Sequence, residues 1–349
     1  MSAASEVMDD IGPDEASSSR RLADLVFKLR EFGIIAVLLI FVGVTAAIQP
    51  RFVDSQNIKF IFTNATIYAL LALGETMVVV ARNIDLSVGS VLGLSAYLSS
   101  DLFTRTHGIP IVGVFAAGLG IGLACGVING AIVAIGRVPS LVVTLATLYV
   151  IRGFDIIVVG GGMVVANSLP NSFLAITSSS FGPVPYLAIV VAAVIGLGAY
   201  YLRSFRSGRE LYAMGSNPEA ARLAGIPTGK RVFTAFVVSG GIAGIAGVLW
   251  ASNYGTIDST AGTGYELQVV AAVVVGGVAI FGGSGTVVGA AFGALLLATI
   301  NQALYVLGIS SFWDEAIAGL LLIAAISLDH GIAVSLTSAL RKRSLEHAT

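Results

Sequence analysis

The chain has 349 residues, of which 56% are hydrophobic and 11% are charged. Soluble domains carry about 25% charged residues, so this composition excludes an ordinary soluble domain and predicts a membrane protein. The formal net charge of -1 gives no positive field for phosphate groups, and nucleic acid is therefore excluded as an expected partner.

The two ends of the chain differ from its middle. Residues 1–31 are polar, acidic and serine-rich, and they lack the basic start and short apolar stretch of a cleavable signal peptide. We expect a disordered cytoplasmic tail there. Residues 330–349 are predicted to form a basic cytoplasmic tail, which leaves 32–329 as the membrane domain.

Apolar segments fill the membrane domain. A helix needs about 20 apolar residues to cross the hydrocarbon core, although shorter helices occur beside protein-lined cavities. By this measure the sequence predicts an all-α polytopic protein with about ten transmembrane helices. The segments are approximately 34–48, 58–80, 86–99, 109–135, 141–159, 186–202, 232–251, 267–281, 287–307 and 312–328.

Basic residues indicate the orientation of these segments. Lys and Arg concentrate in cytoplasmic connections, which would be the even-numbered ones if the N-terminus is inside. This orientation places 15 of the 19 Lys and Arg on the cytoplasmic side. The remaining four are Arg51, Lys59, Arg105 and Arg152. The charges therefore predict that the N- and C-termini are both cytoplasmic.

Glycines recur at helical spacing in two of the segments. Small residues on one face let helix backbones approach closely in lipid, so we expect two closely packed helices. A third glycine run, 282–285, lacks the Gly-Lys-Ser/Thr ending of a phosphate-binding loop and is interpreted as a tight turn. The spaced glycines are Gly118, Gly122, Gly126 and Gly130, then Gly240, Gly244 and Gly247.

The longest predicted cytoplasmic connection, 203–231, contains the start and stop signals of a short helix. Asn217 is expected to cap this helix, Pro218 to begin it and Gly225 to end it. One interpretation is an ordinary loop helix. The other is a docking helix that receives force from a cytoplasmic partner.

Several motifs resemble one family of transporters. Residues 219–225, Glu-Ala-Ala-Arg-Leu-Ala-Gly, resemble the Glu-Ala-Ala-x-x-x-Gly signature of ABC importer permeases, whose helix sits in a cleft of the ATPase subunit. Other motifs follow in the order of the ribose-type monosaccharide permeases, and this likeness extends over roughly 51–329. These motifs are Asn83 to Ser90, Thr144 to Thr147 with Arg152-Gly153, Gly208-Arg209 through Gly215, and Gly276-Gly277 with Gly282 to Gly289. The sequences of residues 82–85 and 312–314 resemble those of the rhamnose and autoinducer-2 permeases more than those of the ribose permeases.

The resemblance implies a type II ABC importer permease of the bacterial cytoplasmic membrane, with an inverted repeat. It implies three partners: a second permease chain, identical or different, a cytoplasmic two-domain ATPase, and an external substrate-binding protein that is periplasmic or lipid-anchored. ATP and Mg²⁺ would be bound by the ATPase, so this chain would hold no cofactor and would not be an enzyme. The implied ATPase-coupling residues are Asn217, Pro218, Glu219, Ala220, Ala221, Arg222 and Gly225.

Polar residues inside predicted spans are candidates for a translocation pathway, because they are costly in lipid. Asn64, Tyr68 and Glu75 recur on one face of the second span. They could line the pathway, or they could bond neighbouring helices, with Glu75 protonated or paired with an arginine. Thr144 and Thr147 could present hydroxyls to a neutral polyol, or bond their own helix backbone.

The start of the third span is a candidate for the inner gate. Asp85 and Ser87 are expected to cap the helix. The resemblance implies that Asn83, Asp85 and Ser87 lie near the inner end of the pathway and belong to the gate. On the fifth span, Arg152 and Asp155 are predicted to form an ion pair. The histidines, His107, His330 and His347, show no metal-ligand spacing.

These observations lead to a functional hypothesis with two alternatives. The leading hypothesis is the permease subunit of an ABC importer for a monosaccharide or small polyol, delivered by an external binding protein. One alternative is a secondary transporter driven by an ion gradient. The other is a membrane scaffold or an export subunit. The sequence does not fix the exact sugar or polyol.

Overall fold

The computed structural model describes residues 33–106, 108–310 and 312–327, which are mostly helical. The predicted tails at 1–31 and 330–349 and all three histidines lie outside the described residues. Two short 3-10 turns, Pro50–Val53 and Ala166–Ser168, and a hairpin of β1 (Ser180–Phe181) and β2 (Val184–Pro185) accompany the helices. The helices are α1 (Gly33–Ile48), α2 (Ser55–Val80), α3 (Val88–Arg105), α4 (Ile111–Ala134), α5 (Ser140–Val159), α6 (Asn171–Ser178), α7 (Tyr186–Ser204), α8 (Arg206–Ser216), α9 (Pro218–Leu223), α10 (Thr228–Tyr254), α11 (Tyr265–Val275), α12 (Val287–Val306) and α13 (313–327).

The prediction of a helical multi-pass membrane protein is confirmed. Among the described residues, six helices, α2, α4, α5, α7, α10 and α12, are long and apolar enough to cross a membrane. Helices α1, α3, α11 and α13 lie at the other four predicted segments. The number of crossings and the side on which the termini lie stay predictions.

The sequence missed two helices and placed two helix ends wrongly. Helix α3, predicted to end at residue 99, reaches Arg105. Helices α6 and α8 are too short or too polar to register as membrane segments. The eighth segment, predicted to reach residue 281, ends as a helix at Val275. Gly277, Gly282 and Gly283 beyond it have positive φ angles, which interrupt a helix and form turns as predicted for 282–285.

Helix α2 is the central helix of the structure. Every residue from Ala65 to Val80 is buried, mainly against α10, α12, α11 and α7. In the apolar stretches of helices α4, α5 and α7, in contrast, only 22% of the residues are buried. A polar residue on α2 therefore faces protein, whereas much of the surface of the outer helices is free to face lipid.

The two glycine faces predicted from the sequence pack against each other, because α4 and α10 touch through their backbones. A methyl group added at Gly122 would lie 2.1 Å from the Gly240 carbonyl oxygen. One added at Gly244 would lie 2.1 Å from the Gly118 carbonyl oxygen. Even alanine is too large at these contacts, so the glycines set the distance between the two helices.

Alanine at Gly122 should therefore destabilise the protein. We expect Gly122→Ala to lower the stability by about 1–3 kcal/mol, the usual cost of overpacking a core. Thermal unfolding of the detergent-solubilised protein measures this effect. Gly120→Ala is the matched control, because nothing lies within 4 Å of a methyl group there. Equal unfolding temperatures for the two variants would contradict the close α4–α10 contact.

Candidate coupling helix and translocation face

Helix α9 has the ends that the sequence predicted. The Asn217 side-chain oxygen accepts hydrogen bonds from the backbone N–H groups of Glu219, at 3.1 Å, and Ala220, at 3.0 Å. Pro218 is the first helical residue. Gly225 has a φ of 76°, and the Ile226 N–H donates to the Ala221 carbonyl oxygen at 3.0 Å. These bonds satisfy both ends of a six-residue helix.

One side of α9 is buried and the other is exposed. Ala221 packs inward at 5% exposure, whereas Leu223 is 91% exposed. Glu219, Ala220 and Arg222 are exposed as well. The helix therefore presents an apolar side chain between charged ones, on a short element that is fixed at both ends.

Helix α8, which the sequence analysis did not predict, fixes this region to α10. Glu210 accepts hydrogen bonds from Arg206 at 2.7 Å and from Arg231 at 2.6 Å. Its side chain is only 7% exposed, and the two arginine hydrogen bonds hold the pKa of Glu210 below its usual value. The four-residue spacing of Arg206 and Glu210 was the available signal. We call residues 206–231 the coupling unit.

Neutralising Glu210 should loosen the coupling unit. We expect Glu210→Gln to unfold at a lower temperature than the wild type at pH 7, since it loses a charge that two arginines bind. Because the folded-state pKa is depressed, this stabilisation is present above the ordinary pKa of 4.5 and is lost as the pH falls through the lower folded value.

Thermal unfolding across this pH range should show the wild type and Glu210→Gln converging at the acid end. Glu219→Gln is the matched control, because it makes the same change of charge at an exposed residue of α9. If Glu210→Gln and Glu219→Gln unfold together at pH 7, Glu210 does not hold the unit.

The polar face predicted on α2 is partly assembled into a cluster with other helices. The Asn64 side-chain oxygen accepts hydrogen bonds from Asn253 and Tyr254, both at 3.2 Å. Tyr68 donates to the side-chain oxygen of Gln268, and its ring stacks on Tyr265 with centroids 4.8 Å apart. Asn64 and Tyr68 thus bond neighbouring helices, which was one of the two interpretations.

The sequence analysis missed the aromatic part of this cluster. Trp250 donates its indole N–H to the Tyr265 hydroxyl at 3.1 Å, and its ring lies 4.4 Å from that of Tyr254. We call Tyr68, Trp250, Tyr254 and Tyr265 the aromatic cluster. The four-residue spacing of Trp250 and Tyr254 near the end of α10 was a signal, but their two partners come from α2 and α11.

A second polar cluster lies where α2 ends and α3 begins. The Glu75 carboxylate accepts the Asp85 N–H at 3.0 Å. Asp85 accepts the N–H and hydroxyl of Ser87 at 3.0 and 2.6 Å, and Asn129 donates to the Ser87 hydroxyl at 2.8 Å. All four side chains are at most 1% exposed. We call these four residues the inner cluster.

Two expectations about this region need correction. In the part of the chain that the structure describes, Glu75 forms no ion pair with an arginine and accepts a hydrogen bond from the Asp85 N–H. Ser87 is the N-cap residue of α3, but its side chain makes no capping bond. Asp85 instead accepts the Ser87 N–H. Asn83 stands outside the inner cluster and donates to the Ala81 carbonyl oxygen at 2.8 Å.

Helix α5 uses its polar residues to bond backbone. Thr144 donates to the carbonyl oxygens of Ile84, at 3.1 Å, and Ser140, at 3.0 Å. The Thr147 hydroxyl lies 3.3 Å from the Thr144 carbonyl oxygen. Thr144 therefore connects α5 to the turn that precedes α3. Of the two interpretations of Thr144 and Thr147, the contacts favour hydrogen bonding to backbone over lining of the pathway.

The predicted pair of Arg152 and Asp155 is present but long, with 3.9 Å between the charged groups. The nearer partner of Arg152 is the Ala261 carbonyl oxygen at 2.6 Å. Arg152 therefore connects α5 to the segment between α10 and α11, which supports a structural role.

Comparison with known proteins identifies the family. A family model described as the permease component of a branched-chain amino acid transport system matches residues 57–326. The chain belongs to this permease family. The matched region begins in α2 and ends in α13, so it includes the coupling unit, the aromatic cluster and the inner cluster.

Curated relatives cover nearly the whole chain. The autoinducer 2 import system permease protein LsrC of Enterobacter sp. (strain 638) is 34% identical over 93% of this chain and 92% of its own length. The LsrC proteins of Salmonella typhi and Escherichia coli O157:H7 are 35% and 34% identical over 88% and 89% of this chain, and 87% and 89% of their own lengths. No solved structure matches the chain. The family is one of transport permeases and not of enzymes.

Proposed function

We propose that this permease is the membrane-spanning subunit of an ATP-driven ABC importer that carries autoinducer 2 or a related small polyhydroxylated solute. The observation that carries the proposal is α9, a capped helix with the exposed Leu223. It directly follows α8, which the Glu210 ion pair with Arg231 fixes to the long apolar helix α10. The curated relatives are named as autoinducer 2 import permeases over matching lengths, and the resemblance to ribose and rhamnose permeases keeps these monosaccharides as substrate candidates.

The proposed topology has ten crossings, both termini in the cytoplasm and an inverted repeat. A helix at each of the ten predicted segments supports the count. The concentration of Lys and Arg on one side supports the orientation. This topology places the coupling unit at the cytoplasmic face of the bacterial cytoplasmic membrane, and the segment 160–185 at the outer face.

Coupling to ATP would pass through α9. The ATPase, a separate subunit, would bind ATP and Mg²⁺ and contact Glu219, Arg222 and the exposed Leu223. Asn217 and Gly225 would fix the two ends of the helix. Because Glu210 joins α8 to the start of α10, displacement of α9 would move α10 as well and switch the pathway between its two openings.

The pathway would follow the polar face of α2. Stacked aromatic rings beside amide groups suit a neutral polyol, whose C–H faces pack on rings and whose hydroxyls exchange hydrogen bonds with amides. Asn64 and Tyr68 contribute to such a surface. Glu75 and the turn of Asn83, Asp85 and Ser87 would form the inner gate, which Thr144 braces from α5.

The importer would contain further proteins. A second permease chain, identical or different, would complete the membrane part, and an external binding protein would deliver the solute from the outer side. The faces of α4, α5 and α7 that are exposed and apolar would meet lipid or the second permease chain.

Replacing Leu223 with a charged residue should separate the permease from its ATPase. We expect Leu223→Asp to fold normally, because this side chain is 91% exposed, but to lose most of the ATPase that co-purifies with it. Arg203→Ala, at an exposed residue at the end of α7, is the control and should retain the ATPase. Full co-purification of the ATPase with Leu223→Asp would refute docking through α9.

Reconstituted uptake distinguishes the proposed energy source from an ion gradient. In liposomes with the ATPase and binding protein, we expect uptake of autoinducer 2, ribose or rhamnose to require ATP and to continue after a protonophore is added. Uptake that needs no ATP and stops with the protonophore would support a secondary transporter instead.

A further inference from the structure

A cavity of about 320 Å³ lies at the end of α10 opposite the coupling unit. The start of α2, the end of α10 and the segment around α6 border it. Asn253 follows Arg231 by 22 residues on α10, so at 1.5 Å per residue the cavity and the coupling unit are roughly 33 Å apart. We call this space the outer cavity. Its polar lining includes Lys59, Thr63, Thr177, Ser178, Asn253 and Tyr254.

The lining of the outer cavity suits a neutral molecule with many hydroxyls. The Thr63 hydroxyl donates to the Lys59 carbonyl oxygen at 2.9 Å and the Thr177 hydroxyl lies 3.1 Å from that of Ser252, so both oxygens retain the capacity to accept from a ligand hydroxyl. Asn253 adds its amide oxygen, and the rings of Phe60 and Tyr254 add apolar faces. No carboxylate is among the described lining residues, which disfavours a metal ion or an amine. The Lys59 ammonium group donates a hydrogen bond to the Ser178 carbonyl oxygen.

The size of the outer cavity restricts the ligand. Ligand pockets occupy roughly 300–1,000 Å³, so this cavity lies at the small end of the range. A single sugar ring fits that size better than a disaccharide.

Two lining residues of the outer cavity are hydrogen-bonded to the polar face of α2. Asn253 and Tyr254 line the cavity, and both donate to the side-chain oxygen of Asn64. One turn further along α2, Tyr68 stacks on Tyr265. Asn64 is therefore hydrogen-bonded to two lining residues of the cavity and is the first residue of the polar face of α2.

We propose that the outer cavity is a binding site for a neutral polyhydroxylated solute of monosaccharide size, held mainly by Thr63, Asn253 and Tyr254. The inference rests on the proposed function, since it names where an imported solute would first bind within the permease. Binding here would place the solute against Asn253 and Tyr254, the two residues that donate to Asn64. Movement of α10, which carries Asn253 and Tyr254, would then break their bonds to Asn64 and open the way to the aromatic cluster.

Protection of a cysteine in the cavity tests this site without the binding protein. Asn253→Cys is prepared in a Cys125→Ala background, since Cys125 is the only cysteine of the chain. The complete permease–ATPase complex in liposomes is labelled from outside with a membrane-impermeant maleimide. D-ribose, L-rhamnose and autoinducer 2 are the probes. Gln56→Cys, also in the lining but not one of the three proposed ligands, is prepared in parallel and decides the outcome if Asn253→Cys does not fold or no longer binds the probes.

The control is Thr106→Cys, at an exposed residue beyond the end of α3 and outside the cavity lining. We expect the transported probe to slow labelling of the cavity cysteine about threefold or more once its concentration is at least twice its Kd. Labelling of Thr106→Cys should not change. Equal labelling of the cavity cysteine with and without a transported probe would overturn the site, as would a cavity cysteine that never reacts.

Uptake of the same three probes, measured in parallel with the binding protein present, separates the two proposals. Uptake without protection would leave the importer function standing and overturn the outer cavity as a binding site. Protection by one probe without any uptake would support the cavity and contradict the proposed function. If no probe is taken up and none protects, both are wrong.

Discussion

The direct backbone contact between α4 and α10 is the constraint on which the rest of the structure depends. Lipid supplies no hydrophobic drive between helices, so their association relies on close packing, which the glycines of both faces permit. Helix α10 also packs against α2 and α3. The end of α10 supplies Trp250 and Tyr254 to the aromatic cluster, and α4 supplies Asn129 to the inner cluster.

Helix α10 joins the two regions to which we assign function. Its first turn carries Arg231, which Glu210 binds, and its last turn carries Asn253 and Tyr254, which bind Asn64. A helix of 27 residues held against α4 transmits displacement as a rigid element better than a loop would. The bonds at its outer end, between neutral groups at 3.2 Å, are weaker than the charged pair at its inner end.

The sequence predicted individual helices and turns better than it predicted the contacts between helices. The capped α9, the glycine faces and the turn at 282–285 follow from local signals, since caps, positive φ angles and small-residue spacing are properties of short segments. The aromatic cluster does not, because Tyr68 and Tyr265 lie far apart in the chain and a hydrophobic pattern carries no information about which faces meet. Glu75 was recognised as costly in lipid, but its partner, the Asp85 backbone, could be identified only in the folded chain.

Movement at the coupling unit should reach the outer cavity through α10. The most direct test is the rate at which Asn253→Cys reacts with an impermeant maleimide in the complete transporter, with no nucleotide and after trapping with ATP and vanadate. The account predicts a severalfold change of rate between the two states, and no change when the permease also carries Leu223→Asp. The same rate in both states, in a transporter that still performs ATP-driven uptake, would contradict it.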